Sequence, residues 1–322
     1  MNDVGVQRKK GMQYLARLGK DVRADRWLYL MLIPGLLYFI IFHYIPMYGM
    51  TIAFKDYNIA RGFGNAPWVG FSVFEKLFAR SAFTRALRNN IRISLMKILL
   101  GFPLPILLSL IINEVRSRSY KRLIQTTVIL PSFISWFVIY GILVALCNLD
   151  DGVIPSLVRQ INLVFGTNWP VVDYMTNKAT FDAYIMITYT WKGIGMGTVV
   201  YLAAIVGIDQ QLYEAAMIDG AGRLRQMWHI TLSSLRPTII TLLIFRVGDI
   251  MNAGFDQMFA LSNSLVVSMA DIIDTYVYRI GLEEAKFSMA TAAGLFKSLI
   301  GLVLVLLTNA LAKRVDPDSA IM

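Results

Sequence analysis

EAAMIDGAGRLRQMWHI, residues 214–230, interrupts a chain otherwise dominated by long apolar runs. It sets Glu214, Asp219, Arg223 and Arg225 among alanines, two glycines and a few large apolar side chains. Asp209 is placed to cap a short helix running to about Ile218. Gly220 and Gly222 break that helix. A second short helix is expected from about Arg223 to Ile230, before Arg236-Pro237 opens the next apolar run. The two would meet as an elbow, with Tyr213, Ala216 and Met217 offering one apolar face and Leu224, Met227 and Trp228 another. Connections between packed helices normally take about 2–8 residues. A connection over 208–236 with helices of its own is built to bind something.

On either side of this segment the chain is apolar. Of its 322 residues, 56% are hydrophobic and 16% charged, against about 25% charged in soluble domains. The apolar residues gather in runs of roughly 20, the length that crosses a bilayer core. The runs are continuous rather than alternating, which selects helices over a barrel. The expected fold is an all-α integral membrane protein with six transmembrane helices. They fall at about 27–52 (beginning WLYLMLIPGLLYFIIF), 92–113, 124–147, 183–207, 237–260 and 287–311. Pro103 and Pro105 should kink the second. The organisation is then a basic segment 1–26, a six-helix domain 27–311 containing the 208–236 loop, and a tail 312–322.

Lysine and arginine set the orientation. The first 26 residues hold seven, the 114–123 loop four, the 208–236 loop three and the tail Lys313 and Arg314, whereas 148–182 has Arg159 and Lys178. Both termini and the 208–236 loop are therefore expected in the cytoplasm, although the basic residues of 53–91 run against the rule. Met12, Leu15, Leu18 and Val22 share one helical face in the basic N-terminal segment, which suits an interfacial helix on anionic lipid. The net charge of +10 reads as membrane anchoring, not nucleic-acid binding.

Several chemistries are excluded. Cys147 is the only cysteine, and His43 and His229 lie far apart, so neither an intrachain disulfide nor a metal site is expected. There is no Gly-x4-Gly-Lys-Ser/Thr phosphate loop: Gly19-Lys20 is followed by Asp21 and lacks the upstream glycine. The chain is expected to bind no cofactor and to hydrolyse nothing alone.

The 214–230 stretch resembles the cytoplasmic signature loop of permease subunits in bacterial binding-protein-dependent ABC importers. That pattern is Glu-Ala-Ala, three residues, Gly, nine residues, then Ile-x-Leu-Pro. Glu214, Ala215, Ala216, Gly220, Ile230 and Leu232 match in register, while Ser233 stands in the proline position. WKGIGMGTVVYLAAI (191–205), DIIDTYVYRIGL (271–282) and KFSMATAAGLFKS (286–298) are similar to the subgroup importing oligosaccharides and polysaccharides, including the alginate importers. The resemblance implies the type I importer permease fold in a bacterial inner membrane. It implies a second permease subunit as a heterodimeric partner, two cytoplasmic ATPase subunits that use ATP and Mg, and an extracytoplasmic solute-binding protein. It further implies that Glu214, Ala215, Ala216, Asp219, Gly220, Ile230 and Leu232 form the element that couples to an ATPase.

Arg92, Lys97, Lys192, Arg246, Asp249 and Lys297 fall in or at the edges of the apolar runs. Such groups cost roughly 2.5–3.5 kcal/mol at the bilayer centre and usually face a bundle interior or an aqueous path. Arg92 and Lys97 lie near an end and could snorkel. Lys192, Arg246 and Lys297 lie near mid-depth and, with Asp249, are candidates for a substrate path. Their positive bias suits a polyuronate better than a neutral sugar. Structural pairing is the competing account: Arg246 with Asp249 at a three-residue spacing, or Lys192 with a carboxylate of the partner. Gly193, Gly195 and Gly197 beside Lys192 either admit a neighbouring helix or widen a cavity. The rival function is an ion-coupled secondary transporter of organic anions. It would require intramembrane carboxylates and inverted repeats, and only Asp249 lies clearly inside a run.

Overall fold

The computed structural model describes residues 25–315. The expected interfacial helix within 1–26 and most of the 312–322 tail lie outside the described residues. The described chain is helical throughout, with one isolated bridge between Lys55 and Trp68. Four helices are long and apolar enough to cross a membrane: α1 (Arg26–Phe54), α3 (Ser81–Asn113), α9 (Arg223–Met251) and α13 (Phe287–Val315). Two bent pairs raise the number to six if each is one span: α4 (Arg118–Phe133) with α5 (Trp136–Cys147), and α7 (Lys178–Val206), 29 residues long, with α8 (Gln210–Ile218) turned away from it. Shorter helices fill the connections. They are α2 (Ser72–Phe78), α6 (Val153–Phe165), α10 (Phe255–Leu261), α11 (Val267–Ala270) and α12 (Ile273–Tyr278).

The span boundaries differ from the hydropathy reading in three places. The second span starts eleven residues early, at Ser81 rather than about 92. Its first three turns bury Phe83, Ala86, Asn89 and Asn90, a helical spacing that an apolar-run criterion passes over. Its break is a π turn at Lys97–Gly101 just before Pro103, where prolines remove backbone donors. The third span is not one helix: it turns through 102° between Phe133 and Trp136. Pro131 sits in a tight turn there, Ile134 is extended, and Ser135 caps the next helix by accepting from the Val138 amide at 3.3 Å. The fifth span begins at Arg223, not after Arg236-Pro237, and ends at Met251 rather than near 260. A π turn at Met227–Thr231 carries the helix through, and Pro237 lies inside it.

Three buried clusters hold the bundle. One, with Leu77, Phe83 and Tyr276, packs α2, α3, α12 and α13 together. A second joins α3, α7 and α10 through Ile93, Phe181, Ile185 and Met258. The third, with Ile106, Leu110, Tyr201, Ile205 and Leu235, lies toward α8 and ties α3, α7 and α9. By contrast, every residue from Arg26 to Tyr48 is exposed, whereas the last turns of α1 join the bundle, with Ala53 buried in the first cluster and Phe54 packed against it.

After α9 the chain unwinds, and α3 supplies the missing hydrogen-bond donors. Asn90 Nδ2 donates to Met251 O at 3.1 Å, and Asn89 Nδ2 to Ser268 O and Asp271 O, both at 3.0 Å. Arg92 reaches Met269 O at 3.0 Å and pairs with Asp182 at 3.1 Å. Lys97 Nζ donates to Ala253 O at 2.6 Å and to Gln257 Oε1 at 2.7 Å. Unpaired carbonyls at membrane depth are costly, and these side chains satisfy them. Lys97 therefore does not snorkel: it is 8% exposed.

Candidate functional site

The elbow is formed by α8 and the start of α9. Asp209 caps α8 by accepting from the Gln211 amide at 3.0 Å. At its far end Ala221 N donates to Ala216 O at 2.8 Å and Gly220 N to Met217 O at 3.1 Å. This pair of bonds is the Schellman closure, with Gly220 in the left-handed position it requires, at φ +73°. The chain then re-enters a helix at Arg223, bracing the elbow by side chains. Tyr213 Oη and Thr231 Oγ1 meet at 2.8 Å, and Gln226 Nε2 donates to Ala221 O at 2.8 Å. Glu214 does not brace it: its carboxylate is exposed and forms no ion pair or hydrogen bond among the described residues. Leu232 packs against the third core cluster. Ala216, Asp219 and Ile230, with Ala221, Arg225 and His229, line a hollow of about 430 Å³ in the crook of the elbow. Ala215 lies exposed on the helix surface beside it.

The elbow joins α7 directly to α9, and these two helices also flank two adjoining clefts among the long helices. One cleft, of about 750 Å³, is lined by Gly193, Met196 and Gly197 of α7, Phe245 and Gly248 of α9, and Val305 of α13. It adjoins a smaller one of about 280 Å³ that includes Ser94 and Lys97 of α3. Tyr189, Arg246 and Asp249 line both.

The four residues read as a path do not converge. Arg246 and Asp249 face the clefts but form no ion pair with each other among the described residues, so their three-residue spacing does not make the pair of the competing account. The α-helix ends at Gly248, which takes Asp249 out of register, and Asp249 accepts from the Asn252 amide instead. Lys192 points to the break between α4 and α5. Its ammonium donates to Pro131 O at 3.4 Å, Ser132 O at 3.0 Å and Ile134 O, matching three donors to three carbonyls freed by the bend. Lys297 Nζ meets Asp274 at 2.5 Å, tying α13 to α12. The glycines near Lys192 divide between both roles. A Cβ on Gly195 would lie 2.1 Å from Val128 O, so α4 crosses α7 there; Gly193 lines the larger cleft with nothing near its Cβ position, and Gly197 lines it too while a Cβ there would lie 2.9 Å from Pro105 of α3. Sequence reasoning missed Ser94, Tyr189 and Asn252, which are uncharged and carry no motif.

The sequence pattern of the binding-protein-dependent transport system inner membrane components matches residues 101–318. The chain belongs to that family. It is similar to Protein LplB of Bacillus subtilis (strain 168), with 44% identity covering 96% of this chain and 94% of that one. It is also similar to the polygalacturonan/rhamnogalacturonan transport system permease protein YteP of the same organism, with 41% identity over 90% and 88% of the two chains. A crystal structure of a bacterial alginate ABC transporter, in complex with an alginate pentasaccharide-bound periplasmic protein, contains a chain 38% identical to this one. It superposes with a TM-score of 0.83, covering 93% of this chain and 98% of that one. The fold of this inner membrane component is accordingly the type I importer permease fold, with several apolar helices that make it a multi-pass membrane protein.

Proposed function

We propose that this chain is the permease subunit of an ATP-driven importer that passes an acidic oligo- or polysaccharide into a bacterial cytoplasm by alternating access. One observation carries the coupling: α8 stands outside the packed core, turned 71° from α7, and links the two helices that flank the clefts. A push on α8 is thereby delivered to α7 and α9 together. In this reading Glu214, Ala215, Ala216, Asp219 and Gly220 face a groove on one of two ATPase subunits, which bind and hydrolyse ATP with Mg. Ile230 and Leu232 anchor the elbow to the bundle. The free carboxylate of Glu214 is available to that partner. A second permease subunit closes the open side of the clefts, and a solute-binding protein delivers the saccharide from outside. The elbow and both termini face the cytoplasm, and the domain limits are 1–26, 27–311 with 208–236 inside it, and 312–322.

The acidic substrate is supported by the relatives and by the cleft. Polygalacturonan and alginate, named for two of the more similar relatives, share carboxylated sugar units, while more distant relatives at 25% and 26% identity are named for arabinooligosaccharides and galactooligosaccharides. The path is proposed to run past Arg246 and Asp249. Lys192 and Lys297 support it from behind, since both are committed to other groups. The test is uptake into vesicles holding this chain with its partner subunits. Galacturonate trisaccharide should enter with ATP inside, ahead of the matching neutral galactose trisaccharide. Uptake driven by a proton or sodium gradient without ATP would overturn the proposal and favour the secondary transporter.

A further inference from the structure

We infer that the place where the two clefts meet is a binding subsite for a single uronate unit, with Arg246 receiving the carboxylate. The inference rests on the acidic-saccharide reading and adds to it a location, a stoichiometry and a role for each side chain.

The side chains there have unused capacity of the right kinds. Arg246 forms no hydrogen bond or ion pair among the described residues, although it lines both clefts. A guanidinium offers a planar fork that matches a carboxylate with two parallel bonds. Ser94 Oγ is buried and unpartnered, which costs about 1–3 kcal/mol unless a ligand or water answers it. Its residue is 4% exposed and lines the smaller cleft. Asp249 accepts from Asn252 and keeps further lone pairs for sugar hydroxyls. Tyr189 presents an aromatic ring, held on one side by the Lys97 ammonium 4.5 Å from its centroid. Such a ring packs against the C–H face of a pyranose.

Size sets the stoichiometry. The smaller cleft, about 280 Å³, falls just below the roughly 300–1,000 Å³ typical of small-molecule pockets. It admits one sugar ring rather than a chain. The larger cleft beyond it is glycine-rich and mainly apolar, with Arg246 as its cation, and would let the rest of the polymer slide. Lys97, the other cation lining the smaller cleft, is committed to Ala253 O and Gln257 Oε1, which leaves Arg246 as the uncommitted one and limits trapping.

The test separates this subsite from the reading beneath it. Binding of galacturonate trisaccharide and of neutral galactose trisaccharide to the purified complex, without its solute-binding protein, is followed by saturation-transfer NMR. Arg246→Gln should weaken binding of the acidic sugar by about tenfold or more and that of the neutral one by less than about threefold. Arg246→Lys should recover part of the loss, and Ser94→Ala should weaken both sugars alike. If the wild-type complex imports uronates but Arg246→Gln binds them as wild type does, the subsite is wrong and the transport reading stands. If Arg246→Gln instead fails to co-purify with the second permease, Arg246 is a subunit contact and the subsite is again wrong. If the wild-type complex imports no uronate, the reading itself falls.

Discussion

Lys297 and Asp274 meet at 2.5 Å with both side chains largely shielded, 17% and 24% exposed. Removing the cation alone leaves a carboxylate without its partner in a poorly solvated place, at a cost of about 1–3 kcal/mol. Removing both is far milder, because a shielded pair is offset by its own desolvation. Lys297→Met should therefore lower the thermal midpoint of the purified complex, and Lys297→Met with Asp274→Leu should restore most of it. The account of Lys297 as structural fails if the single variant keeps its midpoint and selectively loses uronate transport. Lys192 teaches the same lesson. Its position in an apolar run showed that it needed a partner, but not that the partner would be the carbonyls of Pro131, Ser132 and Ile134. That information resides in a bend more than fifty residues away, and no local pattern reports it.

At the level of the elements, the elbow was the most legible part of the chain because its signals are local. Asp209 caps and Gly220 turns for reasons set by their immediate neighbours in sequence. Nothing lies within 4 Å of a Cβ placed on Gly220, so a substitution there acts through backbone strain and not through a clash. Gly220→Val should cost about 1–2 kcal/mol locally, leave the protein in the membrane, and abolish saccharide-stimulated ATP hydrolysis or release the ATPase subunits. Gly220→Asn, which tolerates the left-handed conformation, should keep most of the stimulated rate. Equal rates in wild type and Gly220→Val would refute the coupling role. The span limits were less legible. Hydropathy averages over a window, whereas the ends of α3 and α9 and the break between α4 and α5 depend on buried polar side chains, prolines and π turns. Asn89 and Asn90 are polar residues at core positions because they serve an unwound segment distant in sequence.

Over the whole molecule, six spans followed from composition and length, matched by four long helices and two bent pairs, and the family followed from residues 214–233 read in register. The cleft did not follow, because it is assembled from α3, α7, α9 and α13 and includes Ser94, Tyr189 and Asn252, which carry no sequence signature. What unites the scales is mechanical: α8 connects the helices that flank the cleft, so the state of the ATPases should be readable at Met196, an exposed cleft residue on α7. The direct measurement uses Met196→Cys in a Cys147→Ala background, in the assembled complex, with maleimide labelling followed with and without a non-hydrolysable ATP analogue. The account predicts that the analogue changes the labelling rate and that adding Gly220→Val removes this response while the complex remains assembled. An unchanged rate with the normal elbow, or the same response when Gly220 is replaced, would contradict it.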